Sequence, residues 1–246
     1  MHVSLRHGAI AGLAISSLLL ISACDGGSDS AKASGSKTKN APPAPPTHIS
    51  SKQAEQALVT GAELAEGWQR EPDTIIDKKA AGAEEESLKG VRKACAPLAE
   101  ILNSGRPDAD HKATAQAVFY KKGEETNLAQ DVSGYTPAQA VGLMSGLRTA
   151  IKECGSFDGT MSGKKAKVKV TTLEVPKYGD ESVGYAISIT SDDMVMDFDM
   201  ATVRSVGGLT TLRNNYSDTG DRAKGAFNEG LAHAAEKLKA ATAKTA

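Results

Sequence analysis

The sequence predicts an α+β domain in which a curved antiparallel β-sheet carries helices packed on one face. Apolar residues recur at helical spacing in several segments before Gly163, and after it the period changes to the alternation of β-strands. The strands predicted after Gly163 are joined by short turns, which suit antiparallel neighbours. The folded part, residues 49–242, has the length of one domain.

Four helical segments are predicted from apolar stripes and from the residues that cap them. Ser50 and Gln53 have the spacing of a capping box, and Thr136 with Gln139 repeats it in the clearest helix. Pro97 interrupts the second stripe and predicts two short helices or one bent helix there. The segments begin at Ser50, cover 84–102, run from Thr136 to Gly155, and begin at Asp218 or Thr219.

Six strands are predicted, as an N-terminal hairpin and a C-terminal meander. The hairpin strands cover residues 114–121 and 127–132. The four meander strands cover residues 165–175, 182–190, 194–204 and 209–216. Short connections between these four strands favour pairing in chain order.

Residues 1–23 are typical of a secretory signal that ends in a bacterial lipobox. Arg6 precedes an apolar run over 9–21, and small residues stand directly before Cys24. Cys24 is therefore expected to become the lipid-bearing first residue of the mature protein. A retained transmembrane anchor is the weaker alternative, because spanning a bilayer takes about 20 apolar residues. A simple signal with a chance cysteine is the other alternative.

Residues 24–48 are predicted to form a disordered tether. They are rich in Gly, Ser and Lys and end in a proline-rich run at 41–46, a composition that cannot bury apolar surface. Such a segment would lift the domain off the membrane. An uninformative disordered terminus would have the same composition.

The charge balance argues against nucleic acid as a partner. The whole chain has a formal charge of −1, and removal of residues 1–23 takes away Arg6 and no acid, which leaves −2. No basic excess is available to attract phosphates, and no lysine cluster to attract anionic lipid. Membrane contact is expected only through the lipid on Cys24.

Cys95 and Cys154 predict a disulfide. Outside the cytoplasm such a pair is oxidised, and both residues lie on apolar helix stripes. Two free thiols or a metal site are the alternatives, and the lack of a nearby histidine makes a metal site the poorer one.

The order of these features resembles the extracellular sensor domain of PknH-type serine/threonine kinases and of lipoproteins that carry the same module. The similar features are the helix with Cys95, the helix ending at Cys154-Gly155-Ser156-Phe157, the turn at 179–181, the strand pair over 203–212 and the closing helix. The resemblance covers residues 50–240. It implies a cleft-bearing α+β fold with a ligand-sensing role. A second disulfide is expected in the kinases, and this chain has cysteines for one.

The folded part contains no recognisable catalytic constellation. Its two histidines, His111 and His233, stand without a nucleophile motif, and His111 is expected to be a solvated loop residue. Residues 162–165 match S-x-x-K without the partner motifs of penicillin-binding enzymes. We therefore predict a protein that is not an enzyme and needs no cofactor.

A group of four aspartates does not match the pattern of a calcium-binding loop. Its spacing differs from an EF-hand, and no glycine lies between the acids, so we predict no metal site. The group consists of Asp192, Asp193, Asp197 and Asp199.

The outward positions of three meander strands predict a polar trough as the candidate ligand-binding site. A basic wall, a floor of small residues and an acidic wall would follow one another across the sheet. In that order the positions are Lys167 and Lys169, then Gly184, Ala186 and Ser188, then Asp197 and Asp199. Ordinary cross-strand charge balance is the favoured alternative.

Together these features predict a lipid-anchored protein on the extracytoplasmic face of the cell membrane, with a non-enzymatic ligand-binding or sensor-like domain. Its partner would be an envelope ligand or protein. The alternative is a carrier of lipid or glycolipid, which needs a roomy apolar cavity. An envelope enzyme is disfavoured because a nucleophile and base are missing. With no kinase domain in the chain, a signal would pass to another protein or end in ligand capture.

Overall fold

The computed structural model describes residues 48–72, 87–107, 110–124, 126–192, 194–216 and 223–243, and the backbone of 75–76. The predicted signal peptide, Cys24, the predicted tether up to residue 47, and the predicted cap at Asp218 or Thr219 lie outside the described residues. Residues 43–246 form one compact unit.

A 9-stranded antiparallel sheet is the centre of the described structure. The strands are β1 (Trp68–Arg70), β2 (Ile75–Ile76), β3 (Ala113–Lys121), β4 (Asn127–Gly134), β5 (Ser156–Met161), β6 (Lys164–Leu173), β7 (Glu181–Ser191), β8 (Met194–Ser205) and β9 (Gly208–Tyr216). Their spatial order is β1-β3-β4-β9-β8-β7-β6-β5, and β2 also pairs with β3. The predicted hairpin (β3–β4) and meander (β6–β9) are confirmed, and pairing of β4 with β9 joins them.

The sequence analysis does not predict the two edge pieces β1 and β2 or the edge strand β5. β1 and β2 are 3 and 2 residues long, too short to show a period. β5 buries only Phe157 and Met161, and it follows directly on a helix that the sequence predicts as far as Gly155.

The helices are α1 (Ser51–Gln56), α2 (Ala96–Ser104), α3 (Pro137–Glu153) and α4 (Lys224–Thr242). Both predicted capping boxes are confirmed, since the Ser50 and Thr136 hydroxyls accept the amides of Gln53 and Gln139. The second helix begins later than predicted, in a 3₁₀ turn at Lys93–Cys95, and Pro97 lies in the first turn of α2. In that turn its missing N–H leaves no intrahelical bond unmade, so Pro97 is compatible with the start of α2.

Helices cover both faces of the sheet, and the prediction that they pack on one face is wrong. Ala201 and its cross-strand partner Leu212 face the side of the sheet that packs against α1 and α4. The next residue, Met200, faces the opposite side and packs against α2 and α3. Neighbouring residues on β8 are both fully buried, which happens only where a sheet has two covered faces.

α4 packs closely against the first face. Gly230 is the point of close approach, because a Cβ there would lie 2.5 Å from Leu64 Cδ2. Leu231, Ala234 and Leu238 of α4 are fully buried beside it. No helix among the described residues has both the length and the hydropathy that crossing a bilayer requires.

The disulfide predicted between Cys95 and Cys154 is present and links the start of α2 to the end of α3. Both residues are fully buried, and their Cα atoms lie 5.8 Å apart. Arg92 Nη2 donates to the Glu153 carbonyl at 2.7 Å beside the bridge. The two helices of the second face are therefore joined covalently at one end.

A buried ion pair fixes the other end of α2 to the sheet. Arg106 Nη1 donates to Asp131 Oδ2 at 3.1 Å and to the Thr114 hydroxyl at 3.0 Å, and both charged side chains are almost fully buried. Ser133 donates to the other carboxylate oxygen. Burial raises the pKa of Asp131, and the charge of Arg106 opposes that shift.

Replacement of Cys95 and Cys154 together by alanine should lower the free energy of unfolding by about 4 kcal/mol. The bridge closes a 59-residue separation, and the unfolded chain gains that much freedom without it. Urea denaturation of residues 43–246, followed by circular dichroism, measures the change. A reductant should destabilise the parent and leave the double variant unchanged. Equal urea midpoints for the parent and the variant would contradict the prediction.

Candidate functional site

An apolar cleft lies on the second face of the sheet, beside α2. Its volume is about 440 Å³. Side chains from the sheet form the floor, and α2 with the segment before it forms one wall. The lining residues are Ser87, Leu88, Leu102, Asn103, Met161, Ser162, Ile189, Met194, Met196, Phe198 and Arg213.

The floor results from strand alternation at the ends of β7 and β8. Ile189 and Met196 are cross-strand partners, and Phe198 follows Met196 on the same face. Ile189 and Phe198 are buried, whereas Met194 at the rim is 45% exposed. The helical layer stops short of this corner of the sheet, so apolar side chains that continue the core stripe line an open site.

Specific hydrogen bonds hold the wall in place. Asn103 on α2 accepts the Leu88 amide at 2.8 Å and donates to the Leu88 carbonyl at 3.0 Å. Lys89 and Thr160 exchange two backbone hydrogen bonds of 2.8 Å, which attach the same segment to β5. A wall bonded on both sides indicates a preformed cleft.

Arg213 places a positive charge at this apolar site. Its Nη1 donates to the Leu102 carbonyl at 3.2 Å, and its guanidinium carbon lies 5.9 Å from the centroid of the Phe198 ring. Burial lowers the pKa of Arg213, and the negative charge of Asp131 opposes that shift. Arg213 forms no ion pair with any residue in the described ranges.

One residue of the S-x-x-K match lines the cleft. Ser162 sits in the tight turn between β5 and β6 with a φ of 51°. Lys165, which ends the match, is exposed, and its neighbour Lys164 pairs with Asp192 at 2.8 Å. Among the described residues no three His, Cys, Asp or Glu side chains are grouped closely enough to hold a metal ion.

Neither histidine of the folded part lines the cleft. His233 is exposed on α4, with Nδ1 4.0 Å from Glu236. His111 lies in a loop as expected, but it is half-buried, and its buried Nδ1 bonds to no described residue, so it is less solvated than expected.

The predicted trough lies on the first face of the sheet, at the end that α4 does not cover. Lys169 pairs with Ser188 and Ser188 with Asp197, so the three form one row across β6, β7 and β8. Lys169 and its neighbour Lys167 are exposed, and Ser188 and Asp197 are half-buried. The structure therefore brings these predicted residues together.

Asp199 is the exception, because its predicted exposure is wrong. Only 4% of the residue is exposed, and the Tyr216 hydroxyl donates to Asp199 Oδ1 at 3.3 Å. Tyr216 is the cross-strand partner of Asp197, and its buried ring shields the neighbouring carboxylate from solvent. Asp193 lies outside the described residues.

The cleft is not visible in the sequence, because its methionines follow the same alternation as the core. Met194 and Met196 continue the stripe of Phe198 and Met200, which predicts burial. One signal was available in Arg213, a charged residue in mid-strand. A charge on a strand whose faces are both covered indicates a pairing partner or a site.

Comparison with known proteins gives a likeness in fold. The crystal structure of the extracellular domain of PknH from Mycobacterium tuberculosis matches with a TM-score of 0.51 and 9% identity, over 76% of this chain and 97% of that chain. A protein of Mycobacterium smegmatis described as an Rv0999 ortholog matches with a TM-score of 0.44 and 14% identity, over 80% and 97%. No protein-family model and no curated protein sequence matches the chain.

The domain is similar in fold to the extracellular domain of PknH. At 9% identity the likeness concerns the fold alone. The resemblance predicted from the sequence is confirmed at that level.

The row formed by Lys169, Ser188 and Asp197 remains a predicted binding surface. A double variant tests this prediction. Lys169→Ala with Asp197→Ala should change the free energy of unfolding by no more than about 1 kcal/mol, because surface charge pairs contribute little. Recovery of a charged partner from cell envelope should fall, since rim charges set orientation and encounter rate. Melting curves and a pull-down read by mass spectrometry measure the two effects.

Lys152→Ala, which removes an exposed lysine on α3, is the control for that pull-down. It should recover the same partners as the parent. If the double variant also recovers them undiminished, the row is ordinary solvated surface.

Proposed function

We propose that this chain is a lipid-anchored extracytoplasmic protein whose domain binds one small apolar ligand in the cleft and performs no chemistry on it. The observation that carries the proposal is the cleft itself. Its volume of about 440 Å³ lies within the range of about 300–1,000 Å³ typical of small-molecule sites. Its lining is mostly apolar with a few polar groups, which is also typical of such sites.

The cleft combines a fixed wall with an adaptable floor. The bonds of Asn103 and Lys89 fix the wall, so little ordering is needed on binding. Met161, Met194 and Met196 supply unbranched thioether side chains that adjust to the shape of a ligand. A rigid frame with a deformable surface suits recognition of one molecule.

Three observations support an extracytoplasmic location. The lipobox-like segment ending at Cys24 predicts export and lipidation. The disulfide between Cys95 and Cys154 suits an oxidising compartment. The domain of PknH that is similar in fold is an extracellular domain.

The alternative function, a carrier of lipid or glycolipid, would use the same apolar surface. A carrier needs a roomy apolar cavity, whereas the described site is an open cleft of about 440 Å³. The cleft therefore favours capture or sensing of a ligand over enclosed transport.

Met196→Trp tests whether the cleft binds apolar molecules. The indole should fill the floor and lower affinity for the neutral dye N-phenyl-1-naphthylamine by at least about tenfold, equivalent to 1.4 kcal/mol. Fluorescence titration of residues 43–246 measures the binding, and the parent should bind one dye per domain.

Val195→Trp is the matched control for this test. Val195 is the preceding residue on β8, faces the other side of the sheet and is 48% exposed. It adds the same side chain without entering the cleft, so the dye affinity should stay within about twofold of the parent. Equal dye binding by all three proteins would show that the cleft is not the site.

Cys24→Ala tests the membrane tether. The variant should be released from the membrane or remain unprocessed, because only Cys24 can accept the lipid at the predicted cleavage site. Fractionation of cells, with immunoblotting for the protein, measures the outcome. If the variant loses its signal segment and still fractionates with membranes as the parent does, the lipoprotein proposal is wrong.

A further inference from the structure

We propose that the cleft selects a free long-chain carboxylate, such as a fatty acid, whose head binds Arg213 and whose chain lies along the methionine floor. This inference rests on the proposed function and names the ligand class for the same site. It depends on two independent observations, namely a charge on Arg213 that forms no ion pair with any described residue and the shape and chemistry of the floor.

The two arginines next to α2 differ in their partners. Arg106 is 3% exposed and donates to Asp131 at 3.1 Å. Among the described residues Arg213 donates one hydrogen bond, to the neutral Leu102 carbonyl, although a guanidinium carries five N–H donors. A charge held in apolar surroundings is costly unless it is paired.

The charge of Asp131 favours the charged form of Arg213, yet the hydrogen bonds of Asp131 go to other groups among the described residues. Its Oδ2 accepts from Arg106 and from the Thr114 hydroxyl, and its Oδ1 accepts from Ser133. Each oxygen of this carboxylate therefore already accepts at least one hydrogen bond inside the domain. A carboxylate that enters with a ligand would supply the acceptor that Arg213 lacks and could accept two parallel N–H bonds.

The rest of the cleft suits a single aliphatic chain. Ile189, Phe198 and three methionines form an apolar floor next to Arg213. A group the size of a water molecule occupies about 30 Å³. A cleft of 440 Å³ therefore has room for about 15 such groups, which is about the size of one alkyl chain. A polar sugar or a peptide would leave this floor unmatched.

Burial adds to the argument for a ligand anion. It lowers the pKa of Arg213, because a buried guanidinium is less hydrated than a free one. The group stays charged at neutral pH all the same. Binding of a carboxylate would restore part of the stabilisation that the lost water provided.

Competition between two ligands of equal chain length tests the inference. Residues 43–246 are titrated with the fluorescent fatty acid cis-parinaric acid, and then oleate or oleyl alcohol displaces it. The parent should bind oleate at least about tenfold more tightly than oleyl alcohol, because only oleate offers a charged acceptor.

Arg213→Met keeps an unbranched side chain and removes the charge. It should lower oleate affinity by about tenfold and leave the affinity for oleyl alcohol within about twofold. Lys239→Met, which removes an exposed positive charge on α4, should behave as the parent does. Arg213→Lys should retain part of the preference, since lysine keeps the charge and loses the planar fork.

Three outcomes separate this inference from the proposed function. If the parent binds oleate and oleyl alcohol equally, or if Arg213→Met keeps the preference for oleate, the carboxylate inference is wrong. If neither compound binds while N-phenyl-1-naphthylamine does, the inference again fails and the apolar site stands. If the neutral dye fails to bind as well, the proposed function is wrong too. The comparison within the parent needs no variant, so a failure of Arg213→Met to fold does not affect it.

Discussion

Burial of the sheet on both faces is the constraint on which the rest of the structure depends. Side chains alternate strictly along a strand, so each residue of β8 faces one of the two sides of the sheet. Met200 packs under α2 and α3, and Ala201 packs under α4. A shift of one residue in the pairing of β8 would exchange these two layers, which is why the register is continuous along its whole length.

The cleft follows from the unequal lengths of sheet and helices. β7 and β8 extend past the end of α2, and the apolar stripe of the second face continues with them. Ile189 lies beneath this boundary and is buried, while Met194 lies beyond it and is exposed. The same alternation therefore produces a closed core under the helices and an open apolar surface beside them.

α2 has a structural role and also forms part of the site. Its start is held by the disulfide at Cys95, and the chain just after it is held by the ion pair of Arg106 with Asp131. Between these two points Leu102 and Asn103 form the wall of the cleft, and the Leu102 carbonyl accepts from Arg213. Because both ends are fixed, the wall and the guanidinium keep their places without a ligand.

The sequence by itself determined the elements whose signals are local. The hydroxyl of Thr136 and the amide of Gln139 lie three residues apart, so the start of α3 is readable, and so are the long alternating strands of the meander. The tertiary structure alone decided which side of the sheet each helix covers, because α2, α3 and α4 are all amphipathic and either face would bury their stripes. It also decided that Asp199 is buried under Tyr216, that Met194 is exposed and that Arg213 faces a cleft. Those outcomes depend on the position at which a helix ends above the sheet. The spacing of residues along the chain does not determine that position.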